Sequence, residues 1–159
     1  MIKKLMSYIG EYKRDTLLSP ISVTFEVILE VLLPMLMAKV IDNGVEAGNM
    51  NYVVKMGLLM LVVAMLSLAA GTLSGVFAAR ASMGFGKNLR KAMYDNIQDF
   101  SFQNIDHFST AGLVTRMTTD VTNVQNAYQM LLRMFVRAPI SMVCAMIMSF
   151  YINAKLASI

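Results

Sequence analysis

Two carboxylates stand four residues apart inside an apolar stretch of the chain. Glu26 and Glu30, with Ser19 and Ser22, share one face of a predicted helix over residues 16–38. A charge at mid-bilayer costs about 2.5–3.5 kcal/mol on insertion scales, so both carboxylates should face protein or a water-filled cavity. One hypothesis is a cavity wall of Ser22, Glu26 and Glu30 that attracts cationic substrates or relays a proton. The other is a structural ion pair or hydrogen bond with a helix outside this chain.

Other reactive residues form no convincing catalytic or metal site. His107 is the only histidine, and the single cysteine, Cys144, lies in an apolar run, which argues against zinc. The stretch over residues 84–88 has only part of a phosphate-binding loop. The G-x-x-x-x-G-K-[ST] pattern requires Gly at position 81 and Ser or Thr at position 88, where the chain has Ala81 and Asn88. We therefore predict no ATP site and no catalytic cluster in this chain.

The composition indicates a membrane protein. Of the 159 residues, 57% are hydrophobic and only 15% are charged, whereas a soluble domain has about 25% charged residues. The formal net charge is +4, but the basic residues collect in connecting segments and not on one face, which argues against nucleic-acid binding. The solvent for most of this chain is therefore expected to be lipid.

Three long apolar segments predict an all-α protein that crosses the membrane three times. The predicted first span covers residues 16–38, and a turn at Asp42-Asn43-Gly44 precedes the second helix. Residues 1–15 mix lysines with apolar and aromatic residues, as in an interfacial helix, although a frayed terminus would have the same composition. The second and third spans, each with an extension into water, are predicted over residues 52–103 and 112–154. Residues 155–159 then read as the start of a fourth span.

Two further patterns predict how these helices pack. A stripe of small residues every four positions in the second span would let another helix approach closely; it comprises Ser67, Gly71, Gly75 and Ala79. The third helix, which Ser109 or Thr110 can cap, carries apolar residues at alternating spacings of four and three. That predicted seam comprises Met117, Val121, Val124, Tyr128, Leu131 and Phe135. Lys and Arg are concentrated before the first span and between the second and third, so we expect both segments to be cytoplasmic.

The polar elbow between the second and third spans carries a specific pattern. The sequence over residues 105–121 reads IDHFSTAGLVTRMTTDV. It resembles F-D-x-x-x-T-G-[DE]-L-L-S-R-L-T-N-D-V of multidrug-type ABC exporters. The positions that fit are Asp106, Thr110, Leu113, Thr115, Arg116, Thr118, Asp120 and Val121. Ile105 replaces the aromatic residue, and Ala111-Gly112 replaces the Gly-acid pair.

The resemblance implies that the chain is the first half of a six-span ABC exporter membrane domain. The whole protein would export amphipathic small molecules, such as drug-like compounds, lipids or peptides, by alternating access. Its nucleotide-binding domain, absent from this chain, would bind and hydrolyse ATP with Mg²⁺. The resemblance further implies a bacterial inner-membrane protein with a cytoplasmic N-terminus, which pairs with a second half-transporter, most similar to those that form heterodimers.

The resemblance also assigns roles within the elbow. Residues 104–111 would contain a coupling helix that docks on the nucleotide-binding domains through Asn104, Ile105, Asp106, His107, Phe108, Thr110 and Ala111. Arg116 and Asp120, four residues apart, would pair and hold the helix that leaves the elbow. The competing interpretation is a three-span anchor or assembly subunit that does not transport, and whose basic elbow recruits a cytosolic partner. That alternative explains the spans and the charge bias, but not the elbow pattern.

Overall fold

The computed structural model describes residues 7–99 and 109–157, which form only helices and short connections. The α-helices are α1 (Lys13–Val40), α2 (Met50–Gln98), α3 (Thr110–Thr115) and α4 (Val121–Ala157). A 3-10 turn, Gly10–Tyr12, and two π-helical segments, Ile41–Val45 and Arg116–Asp120, complete the described elements. Three stretches are long and apolar enough to cross a membrane: Gly10–Val45, Met50–Gln98 and Ala111–Tyr151. The predicted fold class, all-α with three long transmembrane helices, is confirmed.

The N-terminal segment packs against α2. Gly10 has φ +53°, a left-handed conformation that glycine adopts without strain, and it separates the preceding residues from α1. The Asn88 side chain donates to the Tyr8 carbonyl at 2.9 Å, and the Tyr12 ring lies directly against Gly84. Of the interfacial helix predicted over residues 1–15, residues 1–6 lie outside the described part. The first long helix begins at Lys13, before the predicted start at residue 16.

The chain reverses after the predicted turn. Asp42-Asn43-Gly44 lies within the π-helical segment Ile41–Val45, and the reversal follows at Glu46–Asn49. The turn predicted at these three residues was wrong, since they continue the helix. Gly44 is required by packing instead: a Cβ there would lie 2.7 Å from Val53 Cγ2. Gly44 therefore lets the two helices approach closely.

The observed turn has its own glycine and cap. Gly48 has φ +64°, and the Asn49 side chain accepts from the Tyr52 N–H at 3.2 Å, so that it caps α2. The tight reversal brings α2 back antiparallel to α1. At 49 residues and 1.5 Å per residue, α2 is about 74 Å long, far more than the roughly 30 Å bilayer core requires.

The helices meet through small side chains. Ser19 of α1 is fully buried and donates to the Ser74 carbonyl of α2 at 3.3 Å. On the same face of α2, Ala78 and Ala81 are completely buried and pack with Leu132 of α4. The residues with the smallest side chains thus lie where the backbones come closest.

Aromatic packing fixes α4 further down α2. The rings of Phe85 and Tyr128 stack with centroids 4.8 Å apart, and the Tyr128 hydroxyl is hydrogen-bonded to the Thr16 hydroxyl at 3.0 Å. Tyr128 therefore links all three long helices.

The predicted seam on the third helix was only partly right. Val121 is buried and Tyr128 half-buried, but Leu131 and Phe135 are 53% and 74% exposed, and Leu132 faces α2 instead. The physical reason is that lipid does not penalise an exposed leucine or phenylalanine, whereas Arg137 requires a carboxylate partner. Electrostatics therefore decides the rotation of α4 about its axis.

Element ends differ modestly from those predicted. The described part of the second helix ends at Gln98, and residues 100–108 lie outside the described residues. Ser109 caps α3, the first turn of the predicted third helix, as the sequence indicated: its Oγ accepts from the Gly112 N–H at 3.2 Å. The third span was predicted to end at residue 154, but α4 continues without a break to Ala157. Residues 155–157 therefore belong to α4 and not to a fourth span.

Candidate functional site

A single arginine joins the two carboxylates of the first span to the third span. Arg137 Nη1 donates to Glu26 Oε1 at 2.8 Å, and Arg137 Nη2 donates to both oxygens of Glu30, each at 2.8 Å. A guanidinium presents several N–H donors in a planar fork, which suits two acceptors one helical turn apart. We call Glu26, Glu30 and Arg137 the charge bridge.

The charge bridge lies well inside the apolar layer. A Cβ on Gly71 would lie 2.9 Å from Glu26 Oε1, so Glu26 lies at the level of Gly71 on α2. Gly71 precedes Ala79, the last residue of the uncharged run 56–79, by eight positions, or about 12 Å along the helix. The Glu26 side chain is only 11% exposed, whereas those of Glu30 and Arg137 are 44% and 41% exposed.

Two polar groups near the bridge lack the partners that such a depth favours. The Oε2 atom of Glu26 is buried and has no hydrogen-bond partner among the residues that the structure describes. Arg133, one turn before Arg137, has no carboxylate within 4.0 Å among residues 7–99 and 109–157. Polar groups at this depth are normally paired, so Glu26 Oε2 and Arg133 keep hydrogen-bonding capacity that no described residue uses.

Two open grooves flank the bridge, and Arg133 borders both. The groove between α1 and α4 has a volume of about 690 Å³, and the groove along α1 and α2 about 610 Å³. The first is lined by Val23, Glu26, Asn126, Gln129, Met130, Arg133, Met134 and Arg137. Both grooves combine apolar walls with a few polar groups, which is typical of sites for amphipathic ligands.

The structure separates the predicted cavity residues. Glu26 lines both grooves and Glu30 lines the second, whereas Ser22 is partly buried and lies outside the described lining of each. Their ion-pair partner comes from α4 of this chain, and not from a helix outside it as the structural hypothesis supposed. Arg137 occupies both carboxylates, which favours the structural hypothesis over a cation-attracting wall.

The predicted packing stripe lies at the edge of the helix contact. Ser67 is buried, and Gly71 and Gly75 are half-buried; Glu26 lies against Gly71, and Arg133 Nη1 lies 4.0 Å from the position of a Cβ on Gly75. Ala79 is also half-buried. The deepest positions lie beside this stripe, at Ala70, Ser74, Ala78 and Ala81. The sequence-based prediction of the site omitted Arg133 and Arg137. The signal was present, since these two arginines lie four residues apart in one apolar helix, as Glu26 and Glu30 do in another.

Most of the predicted coupling residues lie outside the described part of the chain. This holds for Asn104, Ile105, Asp106, His107 and Phe108. Thr110 and Ala111 begin α3, directly after the Ser109 cap. Arg116 and Asp120 are the first and last residues of a π-helical segment, which has more residues per turn than an α-helix. Their pairing stays a prediction.

The glycines that resembled a phosphate-binding loop have a packing role. They lie in the middle of α2, where Gly84 is in contact with Tyr12 and Gly86 with Gln125. A Cβ at either position would collide with those side chains. No group of three potential metal ligands occurs among residues 7–99 and 109–157.

Sequence comparison identifies the family. The profile of the ABC transporter transmembrane region matches residues 16–159, nearly the whole chain. The chain belongs to the ABC transporter transmembrane family. In this family context, the three spanning helices are part of a multipass transporter membrane domain, as the elbow pattern predicted.

Related proteins are considerably longer than this ABC transporter chain. An ABC transporter ATP-binding protein of Bacillus subtilis, YfiB, is 34% identical over 98% of this chain and 27% of its own length. One from Mycobacterium tuberculosis is 30% identical over the same shares. An ATP-dependent lipid A-core flippase of Albidiferax ferrireducens is 25% identical, again over 98% of this chain and 27% of its own length. The chain thus spans about a quarter of the length of these relatives.

Proposed function

We propose that this chain forms the first three spans of an ATP-driven exporter that moves amphipathic small molecules out of the cell by alternating access. The observation that carries the proposal is the family match over residues 16–159, together with three helices able to span a membrane. Alternating access requires helices that transmit motion between the membrane and the cytoplasm. The length of α2, about 74 Å, suits that role.

The remaining parts of the transporter are proposed from its relatives. Proteins of which this chain covers about 27% are named ABC transporter ATP-binding proteins. We therefore propose that the complete protein has three further spans and a nucleotide-binding domain that binds ATP and Mg²⁺. We also propose that it pairs with a second half-transporter of different sequence, as a heterodimer. The location would be a bacterial inner membrane with the N-terminus and the elbow in the cytoplasm, as the Lys and Arg distribution favours.

The lining of the groove between α1 and α4 supports an amphipathic substrate. Val23, Met130 and Met134 offer apolar and deformable surface, while Asn126 and Gln129 supply hydrogen-bonding groups beside it. A relative named as a lipid A-core flippase is consistent with a substrate that has both an apolar and a polar part. Drug-like compounds, lipids and peptides all meet this description.

Reconstitution of the complete transporter tests the proposal. The full-length protein and its partner would be placed in liposomes, and ATP-dependent transport of a fluorescent amphiphile would be followed alongside ATP hydrolysis. We expect amphiphiles to stimulate hydrolysis and ATP to drive their net movement across the bilayer. The control is the same complex supplied with a non-hydrolysable ATP analogue.

The same experiment distinguishes the competing function. A three-span anchor would recruit its cytosolic partner but neither move an amphiphile nor respond to it. Absence of ATP-dependent movement with every class of amphiphile, in a complex that is folded and hydrolyses ATP, would contradict export.

A further inference from the structure

The two grooves beside the charge bridge differ in formal charge. The groove between α1 and α4 is lined by two arginines and one glutamate, Arg133, Arg137 and Glu26, which gives a formal charge of +1. The groove along α1 and α2 is lined by Glu26, Glu30 and Arg133, which gives −1. Opposite charges attract more strongly in apolar surroundings than in water. The groove between α1 and α4 therefore favours an anionic group.

The carboxylate in this groove contributes little to its surface, whereas Arg133 is accessible. The Glu26 side chain is only 11% exposed; its Oε1 atom accepts from Arg137 and its Oε2 atom is buried. The Arg133 side chain is exposed. It has neither an ion pair nor a side-chain hydrogen bond within residues 7–99 and 109–157. A ligand in this groove therefore meets the charge of a guanidinium.

Two amides on the same face of α4 add hydrogen-bond donors beside Arg133. Asn126, Gln129 and Arg133 follow one another at spacings of three and four residues and line the same groove. Gln129 Oε1 accepts from Ser82 Oγ at 3.5 Å, so the amide N–H groups of Gln129 remain available. Carboxylate and phosphate oxygens accept hydrogen bonds from such amides, and the planar fork of a guanidinium can donate two parallel bonds to them.

Arg133 lies inside the apolar layer, between the charge bridge and the end of the uncharged run. Arg133 Nη1 lies 4.0 Å from the position of a Cβ on Gly75. Gly75 precedes Ala79, the last residue of the run, by four positions, or about 6 Å along the helix. A charge at such a depth is unfavourable unless it has a partner or water. An anion bound there would therefore gain more from Arg133 than it would at an exposed surface.

The rest of the groove suits a hydrocarbon chain. Its apolar lining consists of Val23, Met130 and Met134, and methionine side chains adapt to chains of different shape. The volume of about 690 Å³ falls within the roughly 300–1,000 Å³ that is usual for small-molecule sites. Tyr128 is hydrogen-bonded to Thr16 at 3.0 Å and so fixes α4 against α1 five residues before Arg133. The donors are therefore in place before a ligand binds, which reduces the entropy cost of binding.

We propose that the groove between α1 and α4 is a binding site for anionic amphiphiles, in which Arg133 binds the headgroup and the apolar lining contacts the hydrocarbon chain. The ligand class is a molecule with a carboxylate or phosphodiester group at one end of an apolar chain. This inference deepens the proposed export function and rests on it, because it names the charge of the exported amphiphile. That charge is opposite to the one that Glu26 and Glu30 suggested when the sequence was considered alone.

A matched pair of fluorescent lipids tests the charge preference. Phosphatidylglycerol is anionic and phosphatidylcholine is zwitterionic, and both can carry the same NBD-labelled chain. Binding of each lipid to the purified, nucleotide-free complete transporter in a neutral detergent would be followed by fluorescence anisotropy. We expect phosphatidylglycerol to bind about tenfold more tightly, because hydrogen bonds to charged groups contribute more than neutral ones. Soluble glycerol phosphate should not displace it at equal concentration, since it lacks the chain.

Substitutions of Arg133 assign the preference to this residue. Arg133→Gln should lower the affinity for phosphatidylglycerol about tenfold and leave the affinity for phosphatidylcholine unchanged. Arg133→Lys should keep part of the preference, since it retains the charge but not the planar fork. The matched control is Arg80→Gln, which removes the same charge from an exposed residue of α2 outside the described lining of both grooves. This control should bind both lipids as the wild type does.

The results that would overturn the anion site differ from those that would overturn export. Equal affinities for the two lipids in the wild type, an unchanged preference in Arg133→Gln, or displacement by glycerol phosphate would each overturn the site. Arg133→Gln should melt near the wild-type temperature, since Arg133 has no ion pair in the part of the chain that the structure describes; a large drop with loss of binding to both lipids would contradict a headgroup role. If ATP moves neither lipid while Arg133 still sets their relative affinities, export fails and the binding site stands. If ATP moves both lipids and they bind equally, only the anion site fails.

Discussion

Removing the arginine of the charge bridge should strongly destabilise the membrane domain. Arg137→Met replaces the guanidinium by an unbranched apolar side chain and leaves Glu26 and Glu30 without their common donor. The Glu26 side chain is only 11% exposed. Leaving it without a partner should therefore destabilise the protein by nearly the roughly 3 kcal/mol of an unpaired charge at mid-bilayer. Glu30 is 44% exposed and should add no more than about 1 kcal/mol, as in exposed pairs.

The expected total is therefore about 3–4 kcal/mol. If the 159 residues of this chain unfold as one cooperative unit, each kcal/mol lowers the melting temperature by about 2–4 °C, so the loss measured in the purified complete transporter should be roughly 6–16 °C. The matched control is Arg80→Gln, which removes a charge from an exposed residue of α2 and should change stability by less than about 0.5 kcal/mol.

A triple variant tests whether unpaired charge is the cause. Combining Arg137→Met with Glu26→Gln and Glu30→Gln removes the whole bridge, and uncharged amides can bond each other. Replacing a buried ion pair completely is often close to neutral, so the triple variant should regain most of the lost stability. If Arg137→Met melts like the control, or the triple variant is no more stable than Arg137→Met, the assignment of the bridge as a structural link is refuted.

Three further predictions follow from packing, charge distribution and the elbow. Gly71→Ala places a Cβ 2.9 Å from Glu26 Oε1 and should destabilise the protein by about 1–3 kcal/mol; Gly57→Ala, which meets nothing within 4 Å, should be neutral or slightly stabilising in the same thermal assay. A cysteine at His107 should be labelled by an impermeant maleimide only after the membrane is opened and one at Gly48 in intact cells, and reversed labelling would contradict the orientation. Phe108→Ala should remove on the order of 2 kcal/mol of docking energy between the elbow and the nucleotide-binding domains. Substrate and ATP should still bind, but substrate should no longer stimulate ATP hydrolysis. Loss of substrate binding would instead make the elbow a recognition site.

The sequence predicts the helices well because lipid imposes simple rules. The uncharged run over residues 56–79 leaves no alternative to a spanning helix, since every backbone polar group must be paired within it. The Ser109 cap was equally predictable, because it is a local hydrogen bond between residues three positions apart. Local and length-based patterns therefore carry over directly to the structure.

The sequence could not predict which surfaces meet. The partner of Glu26 and Glu30 lies more than a hundred positions away, at Arg137, and no local pattern connects them. The seam prediction failed at Leu131 and Phe135 because apolar periodicity identifies the buried face only when the surroundings are water. In lipid, the polar residues of a helix mark its interior face more reliably than the apolar ones do.

The π-helical segment Arg116–Asp120 has a consequence for the rotational phase of the third helix. An α-helix that incorporates one additional residue turns everything beyond that point by about 100°. The segment lies between α3 and the membrane-spanning part of α4, so its length sets the angle between α3 and the spanning face of α4. A wider turn that tightens into regular α-helix would rotate one end of this rod against the other. Such a rotation would be confined to the five residues Arg116–Asp120, and it would turn the spanning part of α4 without moving it along its axis.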